Sequence, residues 1–226
     1  MTRDLEAMAG TDRWRARVLS TFEGWTGTAR RAEDAGMSRG KPGGSKAAGR
    51  TGEWVALLRG VNVGGRHRLS MEALAGYFEE AGCTGVRTVI QSGNVLFRAS
   101  ASVARAAPER VSARIHQEHG HRPPMVVRSA AELAKVAAGN PLLAGGCDEE
   151  LLHVVFLARK PAAAAVAALD PARSLGDRFV VRGSEVFLYL PRGVSGTKLT
   201  VDYLDRTLGT MGTWRNWRSV RRLTER

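Results

Sequence analysis

Val86-Arg87-Thr88-Val89-Ile90-Gln91-Ser92-Gly93-Asn94-Val95-Leu96-Phe97-Arg98 sets two apolar runs on either side of Ser-Gly. Val86, Thr88, Val89 and Ile90 in the first run and Val95 and Phe97 in the second favour strands, and Ser92-Gly93 is a hairpin-type connection. The stretch predicts two antiparallel strands, Val86–Gln91 and Asn94–Arg98. A hairpin here excludes an all-parallel doubly wound sheet, where each connection needs a crossover of about a dozen residues or more.

Upstream, Glu53–Val61 reads as a strand. Ser70 caps a helix whose Met71, Leu74, Phe78 and Ala81 share one face until Gly82 closes it. Downstream, Pro108 suits the first position of a helix carrying Val111 and Ile115 and ending at Gly120. Met125–Arg128 reads as a short strand. Ser129-Ala130-Ala131-Glu132 is a capping box for a further helix, stopped by Gly139-Asn140-Pro141.

The order then repeats. Leu152–Ala158 is apolar on both faces, as a central strand is. Pro161–Leu169 is an alanine-rich helix, and Arg178–Val181 and Glu185–Leu190 form a hairpin around Gly183-Ser184. Lys198–Leu208 reads as a helix capped by Ser195 or Thr197 and stopped by Gly209. Thr213–Arg215 is a last strand, and Asn216 caps a last helix, Trp217–Thr224. Both halves are β-α-β-β-α-β with an extra helix. The expected fold class is therefore α+β, two consecutive ferredoxin-like (βαββαβ) plaits over residues 53–145 and 146–226.

Residues 1–52 differ. Gly36, Gly40, Gly43, Gly44, Gly49 and Gly52 punctuate a stretch with almost no large apolar residue after Met37. Such a segment buries too little surface to offset its ordering entropy, so a largely disordered N-terminal extension is expected. Leu5, Met8, Trp14, Val18, Leu19 and Phe22 allow an amphipathic helix over 4–21 within it. A translational start near Met37 is the alternative reading.

The chain has 226 residues, a net charge of +12 and two cysteines. Residues 1–52 hold ten Lys/Arg against six Asp/Glu, leaving +8 of the +12 to the remainder. The basic surface favours polyanion contact without locating it. No stretch approaches the roughly 18 apolar residues of a membrane helix, and Met1–Glu6 lacks the apolar segment of a secretory signal. Cys83 and Cys147 show no metal spacing and read as reduced, buried thiols, which places the protein in the cytoplasm with no membrane partner.

Leu57-Leu58-Arg59-Gly60-Val61-Asn62-Val63-Gly64-Gly65, Ile90-Gln91-Ser92-Gly93-Asn94-Val95, Lys198-Leu199-Thr200 and Arg215-Asn216-Trp217-Arg218 occur in that order. Together they resemble a widespread bacterial family known only as domain of unknown function number 1697, from Glu53 to the C-terminus. The resemblance implies a pair of ferredoxin-like plaits. It supplies no activity, substrate or catalytic residue.

A strand, a glycine loop and a helix in succession present backbone amides to an anion. Arg59, Asn62, Gly64 and Gly65 are the candidates in the first loop, with Gln91 and Asn94 at the hairpin tip, and Lys198, Arg215 and Asn216 near the C-terminus. Each has a plainer reading. The glycines serve a tight crossover, Gln91–Asn94 a turn, and Asn216 a cap. Gly193–Lys198 is not a phosphate loop, because Thr197 precedes Lys198 where Gly-Lys-Ser/Thr is required. Lysine in a first helical turn opposes the dipole, which hints at a use for Lys198.

His116, His119 and His121 have no Cys or acid besides Glu118 to complete a metal set, and read as a solvated helix end. No metal or cofactor is implied. Hydrolase signatures such as GxSxG or HExxH are missing. Phe187, Tyr189 and Phe97 lack the spacing of RNA-recognition aromatics and are assigned to the core or the seam between the plaits. The expected function is binding of an anionic or phosphorylated ligand, nucleotide or nucleic acid, at the Arg59–Gly65 loop. An enzyme acting on a small phosphorylated substrate and a structural or protein-interaction module remain open beside it.

Overall fold

Residues 50–62, 69–89 and 93–225 are described by the structure, a computed structural model. β1 (Thr51–Leu58) pairs antiparallel with β3 (Asn94–Ser100) on one side and β4 (Met125–Ser129) on the other. β2 (Thr84–Thr88) flanks β3, giving the order β2-β3-β1-β4. The second sheet repeats it as β6-β7-β5-β8, from β5 (Leu152–Leu157), β6 (Arg178–Arg182), β7 (Glu185–Tyr189) and β8 (Gly212–Asn216). The fold is mixed α+β with two four-stranded antiparallel sheets.

Local signals set the helices. Ser70 caps α1 (Met71–Glu80) through Ala73 N–H, and Gly82 leaves it at φ +93. α3 (Ala130–Ala138) carries the full Ser129/Glu132 capping box. α2 (Ala101–His119) corrects the reading of Pro108, which lies inside the helix. The cap is Ser100, two turns earlier, and accepts from Val103 N–H. Short α4 (Ala163–Ala167) and α5 (Gly193–Gly196) precede α6 (Val201–Leu208) and α7 (Trp217–Thr224).

α6 also departs from expectation. It starts after Thr200, whose hydroxyl accepts from Tyr203 N–H, so neither Ser195 nor Thr197 is the cap and Lys198 is not in its first turn. β1 begins at Thr51 rather than Glu53, because Thr51 and Gly52 pair with Ser100 and Ala99. It ends at Leu58 rather than Val61, as Gly60 turns the chain at φ +75. The expected helix over 4–21, and the extension as far as residue 49, lie outside the described residues.

One face of each sheet is covered by its own helices. Ala56, Leu58, Val95 and Phe97 meet Leu74, Phe78, Val111 and Ile115. Val155, Leu157, Val186 and Leu188 meet Leu204 and Leu208. The other faces are buried too, including Val55, Leu57, Val126, Val154, Phe156 and Phe187. α3 packs on β1 and β4, α7 packs on β5 and β8, and the two helices pack on each other. Burial on both sides explains why β5 is buried at every position and apolar at all but His153. Phe97 and Phe187 are thus core residues. Tyr189 is half-buried beside the Arg178 guanidinium. Both cysteines are free; Cys83 is buried, which pushes its thiol up to about 11, whereas Cys147 is only half-buried.

Candidate functional site

The β2–β3 hairpin folds back over the end of β1. Leu58 N–H donates to Gly93 O at 2.7 Å and Arg59 N–H to Pro124 O at 2.9 Å. Gly93 sits at φ +74, where a Cβ would stand 3.0 Å from the Leu58 side chain, so the approach requires glycine. Asn94 is fully buried and donates from Nδ2 to Val89 O.

This junction receives Arg215 from β8. Its Nε donates to Asn94 Oδ1 at 2.5 Å, its Nη2 to Leu58 O at 2.7 Å and Gly93 O at 3.1 Å, and its Nη1 to Trp214 O at 2.6 Å. Four of the five guanidinium hydrogens thus go to neutral oxygens, and one on Nη1 is left among the described residues. Arg215 is 8% exposed, and burial pulls its guanidinium down to about 10.

Arg128 on β4 makes the same bonds in the other direction. Its Nη2 donates to Leu157 O at 2.7 Å and Ser184 O at 3.3 Å, its Nη1 to Val127 O, and its Nε to Glu185 at 3.0 Å. Each half therefore sends an arginine from its last strand to the first strand and hairpin of the other. The junctions differ in charge. Glu185 neutralises Arg128, and neutral Asn94 occupies the corresponding place beside Arg215. The helix that follows differs likewise. Glu132 at the third position of α3 closes its start, whereas α7 has Ser219 there and no acidic residue in its first turn.

A cavity of about 430 Å³ opens beside Arg215. Leu58, Val61, Thr197 and Arg215 are its buried lining residues, and Gly60, Val194, Thr200 and Asn216 are exposed. Arg59, Val201, Trp214 and Ser219 complete it, so no carboxylate lines it among the described residues. The starts of α6 and α7 both reach the cavity, through Thr200 and Val201 and through Asn216 and Ser219. Helix starts carry unpaired N–H groups and partial positive charge.

Arg59 is one-third exposed and held by Asp205 at 2.6 Å and Gly212 O at 3.1 Å. Asp205 in turn accepts from Gly212 N–H at 2.8 Å. Gly212 admits no side chain, since a Cβ would lie 2.5 Å from Val155 Cγ1. The strand is thereby pressed onto β5 and the Arg59 anchor is fixed.

Arg59, Arg215 and Asn216 are thus brought together, with Asn94 behind Arg215. Asn62 has a different role: at φ 56 it exchanges two hydrogen bonds of 2.8 Å with the Leu69 backbone and closes the loop. Lys198 is exposed and is not a lining residue; its backbone N–H donates to Ser174 Oγ and its carbonyl accepts from Arg173. Gly64, Gly65 and Gln91 lie outside the described residues. Sequence reasoning passed over Thr200, Ser219, Asp205 and Arg128. Arg128-Ser129 and Arg215-Asn216, each an arginine before a helix cap, are the signal for the last of these.

The histidines form no metal set; among the described residues no group of three or more His, Cys, Asp or Glu is placed to hold an ion. Tyr77 Oη instead donates to Glu118 and lies 3.0 Å from His119 Nε2, with Arg114 bridging Glu80 and Glu118. No described helix is long and apolar enough to cross a membrane.

A family model described as "Protein of unknown function (DUF1697)" matches residues 52–187, stopping short of the Lys198–Thr200 and Arg215–Arg218 motifs. Comparison with curated proteins gives no match. Among solved structures, the conserved bacterial protein SP0830 from Streptococcus pneumoniae is similar at a TM-score of 0.58 and 16% identity. The match covers 77% of this chain and 98% of that one. At that identity the likeness concerns the fold alone.

Proposed function

Since the chain belongs to the DUF1697 family, whose function is unknown, we propose from its own residues that it binds an anionic, phosphorylated ligand in the cavity between Arg59 and Arg215. One observation carries this reading. At two equivalent junctions, Glu185 and Glu132 compensate one arginine and one helix start, while Asn94 and Ser219 leave the other pair uncompensated. A buried cation without a carboxylate is costly, and a bound anion removes that cost.

Arg59 and Arg215 supply charge, Thr200 and Ser219 hydroxyls, and the starts of α6 and α7 supply amides. Asn62 and Asn94 serve the loops that position them. The identical strand order of the two sheets supports a ferredoxin-like plait in each half, and the free cysteines support a cytoplasmic setting.

Calorimetric titration with inorganic phosphate at constant ionic strength tests the reading. Saturable binding is expected, weakened about tenfold in Arg59→Ala through loss of a charge-assisted bond. Absence of binding, or equal affinity in the variant, would refute it.

A further inference from the structure

We infer that the anion taken by this cavity is a terminal phosphate, a phosphomonoester on an apolar or planar organic group, and not a phosphodiester within a chain. The inference rests on the binding reading above and narrows its ligand.

Charge is the first argument. Arg59 is offset by Asp205, so the pair adds little net charge. Arg215 adds one positive charge with no carboxylate partner among the described residues. Asp202 in the first turn of α6 offsets that helix start, so the start of α7, with no acidic residue in its first turn, adds roughly half a charge. With Arg215, the site therefore offers about one and a half positive charges. A phosphomonoester carries about −1.5 to −2 at neutral pH and matches it. A phosphodiester carries one negative charge and leaves about a third of the site's charge unanswered.

Shape is the second. Arg215 is 8% exposed and sits with the other buried lining residues, Leu58, Val61 and Thr197. A phosphate reaches that guanidinium only by entering the cavity. A terminal phosphate has its substituent on one side and can enter, whereas a diester must lead chain out on two sides. Around it, Val194 is 52% exposed although apolar, and Val201 and Trp214 add further apolar surface. Such a wall suits the organic part of the ligand. The volume of about 430 Å³ falls in the range of small-molecule sites, about 300–1,000 Å³.

The same chemistry arises from a free nucleoside monophosphate or from the 5′-phosphorylated end of a nucleic-acid strand. Calorimetry on the full chain with four probes separates the cases: adenosine 5′-monophosphate, its methyl diester, and one short oligonucleotide with and without a 5′-phosphate. Adenosine monophosphate is expected to bind at least about tenfold more tightly than its methyl diester, and the 5′-phosphorylated strand more tightly than the 5′-hydroxyl strand. A monophosphate that outbinds the phosphorylated strand marks the source as a small molecule, and the reverse marks a strand end.

Asn94→Glu provides the internal control. It places a carboxylate beside Arg215, as Glu185 stands beside Arg128, and is expected to abolish monophosphate binding with the melting temperature held or raised. Asn94→Asp repeats the test with a side chain of the same size as asparagine. Equal affinity for monoester and diester, or full binding in a folded Asn94→Glu or Asn94→Asp, overturns the inference and leaves the anion site standing. No binding of any phosphate, inorganic phosphate included, overturns both.

Discussion

Arg128 and Arg215 are counterparts: each leaves the last strand of its own half and donates through Nη2 to the last carbonyl of the other half's first strand, Leu157 or Leu58, at 2.7 Å. They differ in what receives Nε, a carboxylate in one case and an amide oxygen in the other. Closely similar geometry thus sets a buried arginine with a carboxylate partner against one without.

The first prediction follows from that inequality. Arg128→Met strands the Glu185 carboxylate, 15% exposed, without its cation and is expected to cost about 3–5 kcal/mol. Arg215→Met removes similar hydrogen bonds but also an uncompensated buried charge, so about 1–3 kcal/mol is expected. Urea unfolding of both variants measures the difference. Equal losses would show that the missing carboxylate beside Arg215 is energetically irrelevant.

His153 makes stability sensitive to acid. It is buried on β5, edge-on to Trp214 at 5.7 Å, and burial lowers its pKa below 6.5, opposed in part by the Leu151 carbonyl. A depressed pKa means that the unfolded chain takes up the proton first as pH falls. The stabilising contribution is present above about pH 6.5 and declines as pH falls through the folded value. Melting temperatures from about pH 7 to pH 5 are expected to fall less steeply in His153→Gln than in the wild type. Parallel profiles would assign the acid sensitivity to other groups.

Tyr77 acts at the other end of the scale. Burial, then the hydrogen bond to Glu118, raises its phenol to about 12. The stabilisation is complete below about pH 10, the ordinary tyrosine value, and is lost as pH rises through about 12. In an alkaline titration followed by tyrosinate absorbance, Tyr77→Phe is expected to remove the component titrating near 12. Survival of that component would refute its assignment to Tyr77.

The repeated element order was legible because caps and hairpins are local. Ser70, Ser129, Asn216, Gly120 and Gly209 all end or begin helices where their residue types allow. Errors came where two local signals competed. Pro108 suits a helix start, yet Ser100 caps one earlier and the helix runs through the proline. Ser195, Thr197 and Thr200 are equally good caps in isolation, and packing of Leu199 and Leu204 into the second core accompanies the choice of Thr200. The site was legible only as separate loops. That Arg215 lies 121 residues from Asn94 and bonds to it is a property of two sheets meeting at β4 and β8. No periodicity in one strand encodes the pairing of Arg59 with Asp205, 146 residues away.

The crossed arginines also bear on how such a chain is divided. A cut near residue 145 would leave Arg128 in one fragment and its acceptors Leu157, Ser184 and Glu185 in the other, with Arg215 and its acceptors split in the opposite sense. Each piece would retain a complete sheet, yet carry an arginine reduced to one carbonyl of its own half and a strand end with nothing to receive. Although the halves look like duplicates, neither is a spare copy. Each supplies the acceptors that the other's arginine uses, so the unit that buries both cations is the pair.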